Sequence, residues 1–450
     1  MRRITAGVEA SCELRVGDDI LSEAKLSFNA YTPPVHPIPQ AMKLALIATV
    51  HFPYSHADVI SARWLAPTET DRLWGWNGPH SQIVSTYIDQ FGTDDIARET
   101  WSKQGVPIFP SIADALTLGG EKLAVDGVLL IGEHGEYPLN ECGQKLYPRK
   151  EFFDQITEVY ESSGRSAPVF CDKHFSWSFE KAREMVASSQ RLGFLLLGGS
   201  SLPHCRYWPP AAVAGAEIEE MVGLFHRPIE SYAFHSLETV QSLIEDRRGG
   251  ETGVRSVTAW VGDSLRQAEK GAGWPAELLA AAADAQPAGD ADDSPEYRDD
   301  DSEQNPDVGW TVEYLDGSRV THVRRRENPH GGFSVAFRRR GSDRIETVVP
   351  LLGTSKSGVP HFACLAQVVE QAFVTGEPSF PIERSLLTTG LLESMMHALL
   401  QPGQPLLTPH LDTHYTFSGR SEVPVLTADE LLRYDSCAHD QDIGHRTHET

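Results

Sequence analysis

The sequence predicts an α/β protein: a doubly wound parallel sheet in its N-terminal part, then a C-terminal α/β domain on an open, mainly antiparallel sheet. Apolar runs and helix-like segments alternate without a break from Lys43 to Pro203, the pattern of a parallel sheet with helices on both faces. Val128, Leu129, Leu130 and Ile131 form an unbroken apolar run, as in a strand buried on both faces. Beyond Pro203 the segments alternate with period two and are split by turn signals such as Asp316-Gly317, which reads as antiparallel pairing.

Taken in order, residues 1–41 hold four prolines (Pro33, Pro34, Pro37, Pro39) and little periodicity, and read as a partly ordered arm. Residues 42–203 form the first domain. Strand one is Lys43–Val50, followed by a helix with Ala57, Ile60 and Trp64 at helical spacing. A loop from 66 to 80 carries Trp74 and Trp76, read as exposed: either a substrate platform or, preferred, packing onto a neighbouring surface. Strand two ends at Asp89, and the next helix closes on Gly105. Residues 106–111 read as a short third strand, followed by a short helix. The fourth strand ends in Gly132, Glu133, His134 and Glu136, the fifth in Asp172-Lys173-His174, and the sixth in Ser200-Ser201.

Residues 204–415 form the second domain. A strand, a helix containing Phe234-His235 and another strand precede an acidic stretch, 286–308, that lacks large aliphatics until its last residue and reads as solvated and disordered. Antiparallel strands follow, with Arg324–Arg326 and Arg338–Arg340 read as solvated faces or contacts of the acidic loop in preference to a site for an anionic substrate. Two amphipathic helices then close the domain. Residues 416–450 read as a frayed tail in which His439, His445 and His448 bind metal only adventitiously.

Composition narrows the function classes. The chain has 450 residues and a formal net charge of −24, which argues against a nucleic-acid surface, since phosphate binding needs clustered Lys and Arg. No apolar run approaches the roughly 20 residues of a membrane span, and the start lacks the apolar core of a secretory signal. Six scattered cysteines with no CxxC pair read as reduced thiols in a cytoplasm. GxSxG, HExxH and P-loop motifs are absent.

Ligands of open α/β sheets bind outside the carboxyl ends of the strands. The predicted strands bring His51, Tyr54, Ser55, His56, Asp89, Glu133, His134, Glu136, Tyr137, Asp172, Lys173, His174, Ser200, Ser201 and His204 to that edge. Among these, His51, His56, Glu133, His134, Asp172 and His174 are candidate ligands for a divalent metal such as Zn²⁺, Mn²⁺ or Fe²⁺. The metal reading implies a non-redox lyase or hydrolase. The spacing of His51 and His56 is not a helical i,i+4 pair, so this reading rests on convergence alone.

The order of pieces resembles the Gfo/Idh/MocA family, the glucose–fructose oxidoreductase and inositol dehydrogenase group, over roughly residues 42–415. The pieces are His56-Ala57 after strand one, GVPIFPSIADAL, VDGVLLIG, Asp172-Lys173-His174 where the family has Glu-Lys-Pro, Phe234-His235, and Gly376-Glu377-Pro378 between the closing helices. The resemblance implies a Rossmann-like domain that binds NAD or NADP, with Thr49, His51, Tyr54, His56, Asp89, Glu133 and His134 as cofactor contacts. It also implies Lys173, His235 and Glu238 as catalytic residues acting on a hydroxyl of a sugar, cyclitol or related polyol, and a homo-oligomer formed through the C-terminal sheet. Two departures are visible. The glycines of G-x-G-x-x-G become Ala48, Val50 and Pro53, and the acid expected four residues before His235 is Ser231, with Glu230 one step away. A non-catalytic binding homologue is the remaining reading.

Overall fold

The computed structural model describes residues 8–16, 19–28, 41–209, 213–226, 228–286, 306–326, 332–353 and 358–417. Residues 1–41 and 42–450 form separate compact units. In the first, β1 (Val8–Val16) and β2 (Asp19–Phe28) pair antiparallel. The four prolines on which the expected partly ordered arm rests follow this hairpin and lie outside the described residues.

The second unit opens with β3 (Met42–Ala48), α1 (His56–Leu65), α2 (Glu69–Leu73) and β4 (Ser81–Ile88). After these come α3 (Ala97–Lys103), α4 (Ile112–Thr117), β5 (Gly127–Ile131), α5 (Arg149–Ser163), β6 (Val169–Asp172), α6 (Phe179–Leu192) and β7 (Leu196–Gly199). The strands form one parallel sheet of order β4-β3-β5-β6-β7. Every residue of β5 is buried, as its unbroken apolar run requires. Residues 106–111 do not form the expected strand; they supply only a parallel bridge, Ile108 to Thr86, with prolines on both sides limiting the ladder. Trp74 and Trp76 are buried, not exposed. The expected loop winds into α2, capped by Thr68, and Trp76 Nε1 donates to the Arg63 carbonyl.

The C-terminal part consists of β8 (Tyr207–Trp208), β9 (Ile218–Phe225), α7 (Ile229–Ile244), β10 (Val254–Val261), α8 (Asp263–Gln267) and α9 (Ala276–Asp284). Next come β11 (Val308–Tyr314), β12 (Arg319–Arg324), β13 (Ser334–Arg339), β14 (Ile345–Pro350), α10 (His361–Thr375), α11 (Ile382–Ala398) and β15 (Pro405–Leu407). Its sheet runs β15-β10-β11-β12-β9-β13-β14-β8 and is antiparallel except where β12 meets β9. Most of the acidic stretch 286–308, and the tail beyond residue 417, lie outside the described residues. Arg324 is buried, while Arg325 and Arg338 are paired with acids.

Two helices link the parts. α10 returns to the first sheet, where Phe373 presses on Gly127; a Cβ there would meet Phe373 and Leu44 carbons at 2.8 Å. α11 is buried on nearly every face instead of being amphipathic, because it packs between α6, α7 and the ends of both sheets. Trp310 Nε1 donates to the Met395 carbonyl at its C-terminal end. No helix among the described residues is long and apolar enough to cross a membrane.

Candidate active site

The carboxyl edge of the parallel sheet gathers a buried ionic network. His56 opens α1, Glu133 follows β5, Asp172 ends β6, and Lys173 comes directly after it. His56 Nδ1 lies 2.6 Å from Asp172 Oδ2 and 3.2 Å from Glu133 Oε2. Lys173 Nζ lies 2.9 Å from Glu133 Oε1 and 2.6 Å from His235 Nε2. Ser200 Oγ is 2.5 Å from His235 Nδ1 and accepts a further bond from the Leu202 amide. All six side chains sit on residues that are buried. The segments at the carboxyl ends of the parallel strands supply all of them but His235, which enters from the second turn of α7.

Backbone geometry aims these groups. Lys173 holds φ +67°, a left-handed conformation that costs a non-glycine residue roughly 1–2 kcal/mol, and its amide donates to the Gly199 carbonyl. His134 holds φ +63° beside Gly135 at +99°. Strain kept at a strand end in this way is a feature of functional edges.

Charge and burial divide the titrating groups. Burial works against the charged form of His56, but the carboxylates of Asp172 and Glu133 outweigh it and raise its pKa. Burial also opposes ionisation of Glu133, yet His56 and Lys173 hold it well below the usual carboxylate range. Burial, then repulsion from Lys173 and His56, drives the His235 pKa well down. His235 is therefore a neutral imidazole, its Nε2 accepting from Lys173 and its Nδ1–H facing Ser200.

Glu238 does not touch Lys173 or His235. Its carboxyl accepts from Thr388 Oγ1 at 2.6 Å and from the Ser200 amide at 3.3 Å, so it positions the serine that meets His235. Burial pushes its pKa up to about 7, with Arg384 pulling the other way. Between the ordinary carboxylate value and pH 7 the folded state thus binds a proton that the unfolded chain has released. This contribution to stability is present in acid and lost as pH rises through 7, at up to about 1.4 kcal/mol per pH unit. Glu238→Gln should flatten the slope of stability against pH between 5 and 7, measured as urea midpoints.

Of the other expected site residues, His51, His174 and Asp89 have partners outside this network, while His134 and Thr49 border it. His51 is buried but accepts from Trp101 Nε1 at 3.2 Å and does not join His56. His174 Nε2 faces Arg149 Nη1 at 2.9 Å, and burial followed by the Arg149 charge lowers its pKa well below normal. His134 packs its ring against Phe52 and His56. Thr49 Oγ1 donates to the Glu133 carbonyl. Asp89 is exposed and accepts from Tyr87 and Tyr137 hydroxyls. Arg149 and Ser200 were not among the residues singled out for roles. A signal for Arg149 was Gly132, where a Cβ would lie 2.6 Å from the Arg149 Cγ.

No family model matches the sequence, and no curated protein matches it. Solved structures do. GenD2 from gentamicin A biosynthesis, in complex with NAD, is 12% identical, with a TM-score of 0.52 over 84% of this chain and 99% of that one. Apo scyllo-inositol dehydrogenase from Lactobacillus casei is 10% identical, with a TM-score of 0.49 over 82% and 98%. A myo-inositol dehydrogenase from Corynebacterium glutamicum ATCC 13032 is 12% identical, with a TM-score of 0.48 over 82% and 98%. The likeness to GenD2 is one of fold: a Rossmann-like parallel sheet followed by a mixed, mainly antiparallel one.

The edge can be tested against a nicotinamide dinucleotide, the group that the GenD2 structure holds and that the family resemblance leads one to expect. A diphosphate is gripped by free N–H groups at a helix N-terminus behind a glycine loop. Here Pro53 has no N–H. The Tyr54 amide donates to Asp58 Oδ2, and Ser55 Oγ accepts from the amides of Phe52 and Asp58. The Asp58 carboxylate thus stands in the first turn of α1 where a phosphate would sit. Between β3 and β5, where the strand order reverses, Gly135 comes so close that a Cβ would lie 3.3 Å from Val50 Cγ1. Gln90 and Glu136 tie that loop down through two hydrogen bonds. These residues do not fit a dinucleotide held by its diphosphate at α1.

Proposed function

We propose that the chain is an enzyme that moves a proton to or from a hydroxyl or carbonyl group of a small sugar-, cyclitol- or polyol-like molecule, with Lys173 and His235 as the exchanging pair. One observation carries this: the 2.6 Å contact of Lys173 Nζ with His235 Nε2 in a buried network at the strand ends. An ammonium beside the reacting oxygen lowers the cost of an alkoxide or enolate, and a neutral imidazole takes or returns the proton. Glu133 balances the lysine charge, and Glu238 positions Ser200.

Two forms of this chemistry remain distinct. The fold shared with GenD2 supports an oxidoreductase acting on a secondary alcohol, for which NAD or NADP would have to be held elsewhere than at the N-terminus of α1. The occupied N-terminus of α1 and the filled crevice favour a non-redox form, in which the same pair catalyses keto–enol exchange or elimination. We infer the proton transfer itself as the common function.

The test is a panel of sugars, cyclitols and their keto derivatives incubated with the protein in D₂O, with and without NAD⁺ or NADP⁺. Deuterium appearing beside a carbonyl without nucleotide is the expected result for the non-redox form. Growth of reduced-nicotinamide absorbance is expected for the oxidoreductase. Neither signal across the panel, from protein with native circular dichroism, overturns the proposal.

A further inference from the structure

We propose that His56, Glu133 and Asp172 bind a divalent metal ion of the Mn²⁺ or Zn²⁺ kind. Three elements deliver one donor each, and His56 Nδ1 and one oxygen of each carboxylate lie within 4.8 Å of one another. The three side chains are 6, 4 and 1% exposed. His56 Nδ1 carries at most one hydrogen, and its bond goes to Asp172 Oδ2 at 2.6 Å. Glu133 Oε2, although 3.2 Å from the same nitrogen, makes no hydrogen bond, and neither does Asp172 Oδ1.

Two buried carboxylates therefore converge on a single nitrogen, with an oxygen of each unsatisfied. Such groups are costly to bury without a partner, and a divalent ion takes lone pairs from all three residues at once. Metal–ligand distances of about 2.0–2.2 Å place neighbouring donors roughly 3 Å apart. The Glu133–His56 spacing already meets this; the Asp172–His56 spacing has to open by about half an ångström. One imidazole with two carboxylates is a donor set that suits Mn²⁺ or Zn²⁺, with no thiolate to select softer metals. Lys173 faces the cluster as well, but it lies against Glu133 Oε1, which leaves Oε2 for the ion. Three protein ligands also leave coordination positions for a substrate oxygen, which the ion polarises as a Lewis acid.

The use of the ion rests on the proton-transfer reading, but its binding does not. The test titrates the full chain, stripped with chelator and dialysed, with Mn²⁺ followed by electron paramagnetic resonance, Zn²⁺ by calorimetry and Co²⁺ by visible absorption. One ion per chain is expected. His56→Ala and Asp172→Asn should each weaken binding by about 100-fold or more, while Glu99→Gln, at an exposed ion pair of α3, leaves it unchanged. Glu133→Gln, an isosteric change, should weaken it similarly and carries the test where the alanine variant fails to fold.

No saturable binding to the native chain overturns the proposal. So does binding undiminished in Asp172→Asn and Glu133→Gln, which locates the ion elsewhere, the histidines beyond residue 417 included. Deuterium exchange by metal-free protein with no ion binding refutes this site and leaves the proton transfer standing. Ion binding without exchange on any substrate does the reverse.

Discussion

Replacing Lys173 with methionine should cost about 3–5 kcal/mol of stability and abolish proton exchange on any substrate the native protein turns over. The methionine keeps most of the side-chain volume and leaves the left-handed backbone at this position as it was. What it removes is the ammonium against Glu133 Oε1 and His235 Nε2. Glu133 is only 4% exposed and is held ionised by His56 and Lys173 together. The Lys173 part of that support disappears, and a buried carboxylate that loses it is expensive. The double variant Lys173→Met/Glu133→Gln should recover most of the lost stability, because the stranded charge goes with its partner, while exchange stays absent. Urea midpoints and deuterium incorporation on the same four proteins give both halves of the cycle. A single variant as stable as the native protein would show that the network is not ionic in the way described.

How much of this was legible in the sequence depends on the range of the interaction. The parallel sheet was readable because the strands are short apolar runs whose burial depends on their own residues; β5 is the plainest case. The strand-end position of Lys173, Asp172 and Glu133 was readable for the same reason, since each follows directly from where an apolar run stops. The meeting of Lys173 with His235 was reached only through the resemblance, because no local pattern states that the second turn of α7 faces the end of β6.

The errors have a common cause. Trp74 and Trp76 looked exposed because Gly75, Gly78 and Pro79 announce a loop, and the surface that buries them comes from elsewhere in the chain. His51 and His174 looked like ligands because they share the strand ends with His56. Their partners Trp101 and Arg149 lie 50 and 25 residues away in sequence. Ser385, Thr388 and Thr389 on α11 left no signal at all. They bond the Gly198 carbonyl, the Glu238 carboxyl and the Phe175 amide, and hydroxyls within a buried helix look like any others until their partners are known.

One of those long-range contacts makes Gly199 a sensitive position. Gly199→Ala should cost about 3 kcal/mol and slow exchange by about 100-fold, although residue 199 touches no substrate. The glycine has φ +141°, a region that side chains rarely enter, and an added Cβ would lie 2.7 Å from Glu238 Oε2. Glu238 cannot swing aside cheaply, because Thr388 and the Ser200 amide fix both of its oxygens. The displacement must therefore pass to Ser200 and from there to the His235 ring, 2.5 Å from its hydroxyl. Glu238→Ala separates the two parts of this cost. In that background the clash is gone and only the backbone strain of residue 199 remains, so Gly199→Ala should be milder by at least about 1 kcal/mol than in the native chain. Equal costs in the two backgrounds would assign the whole effect to the backbone and remove the link between Gly199, Glu238 and His235.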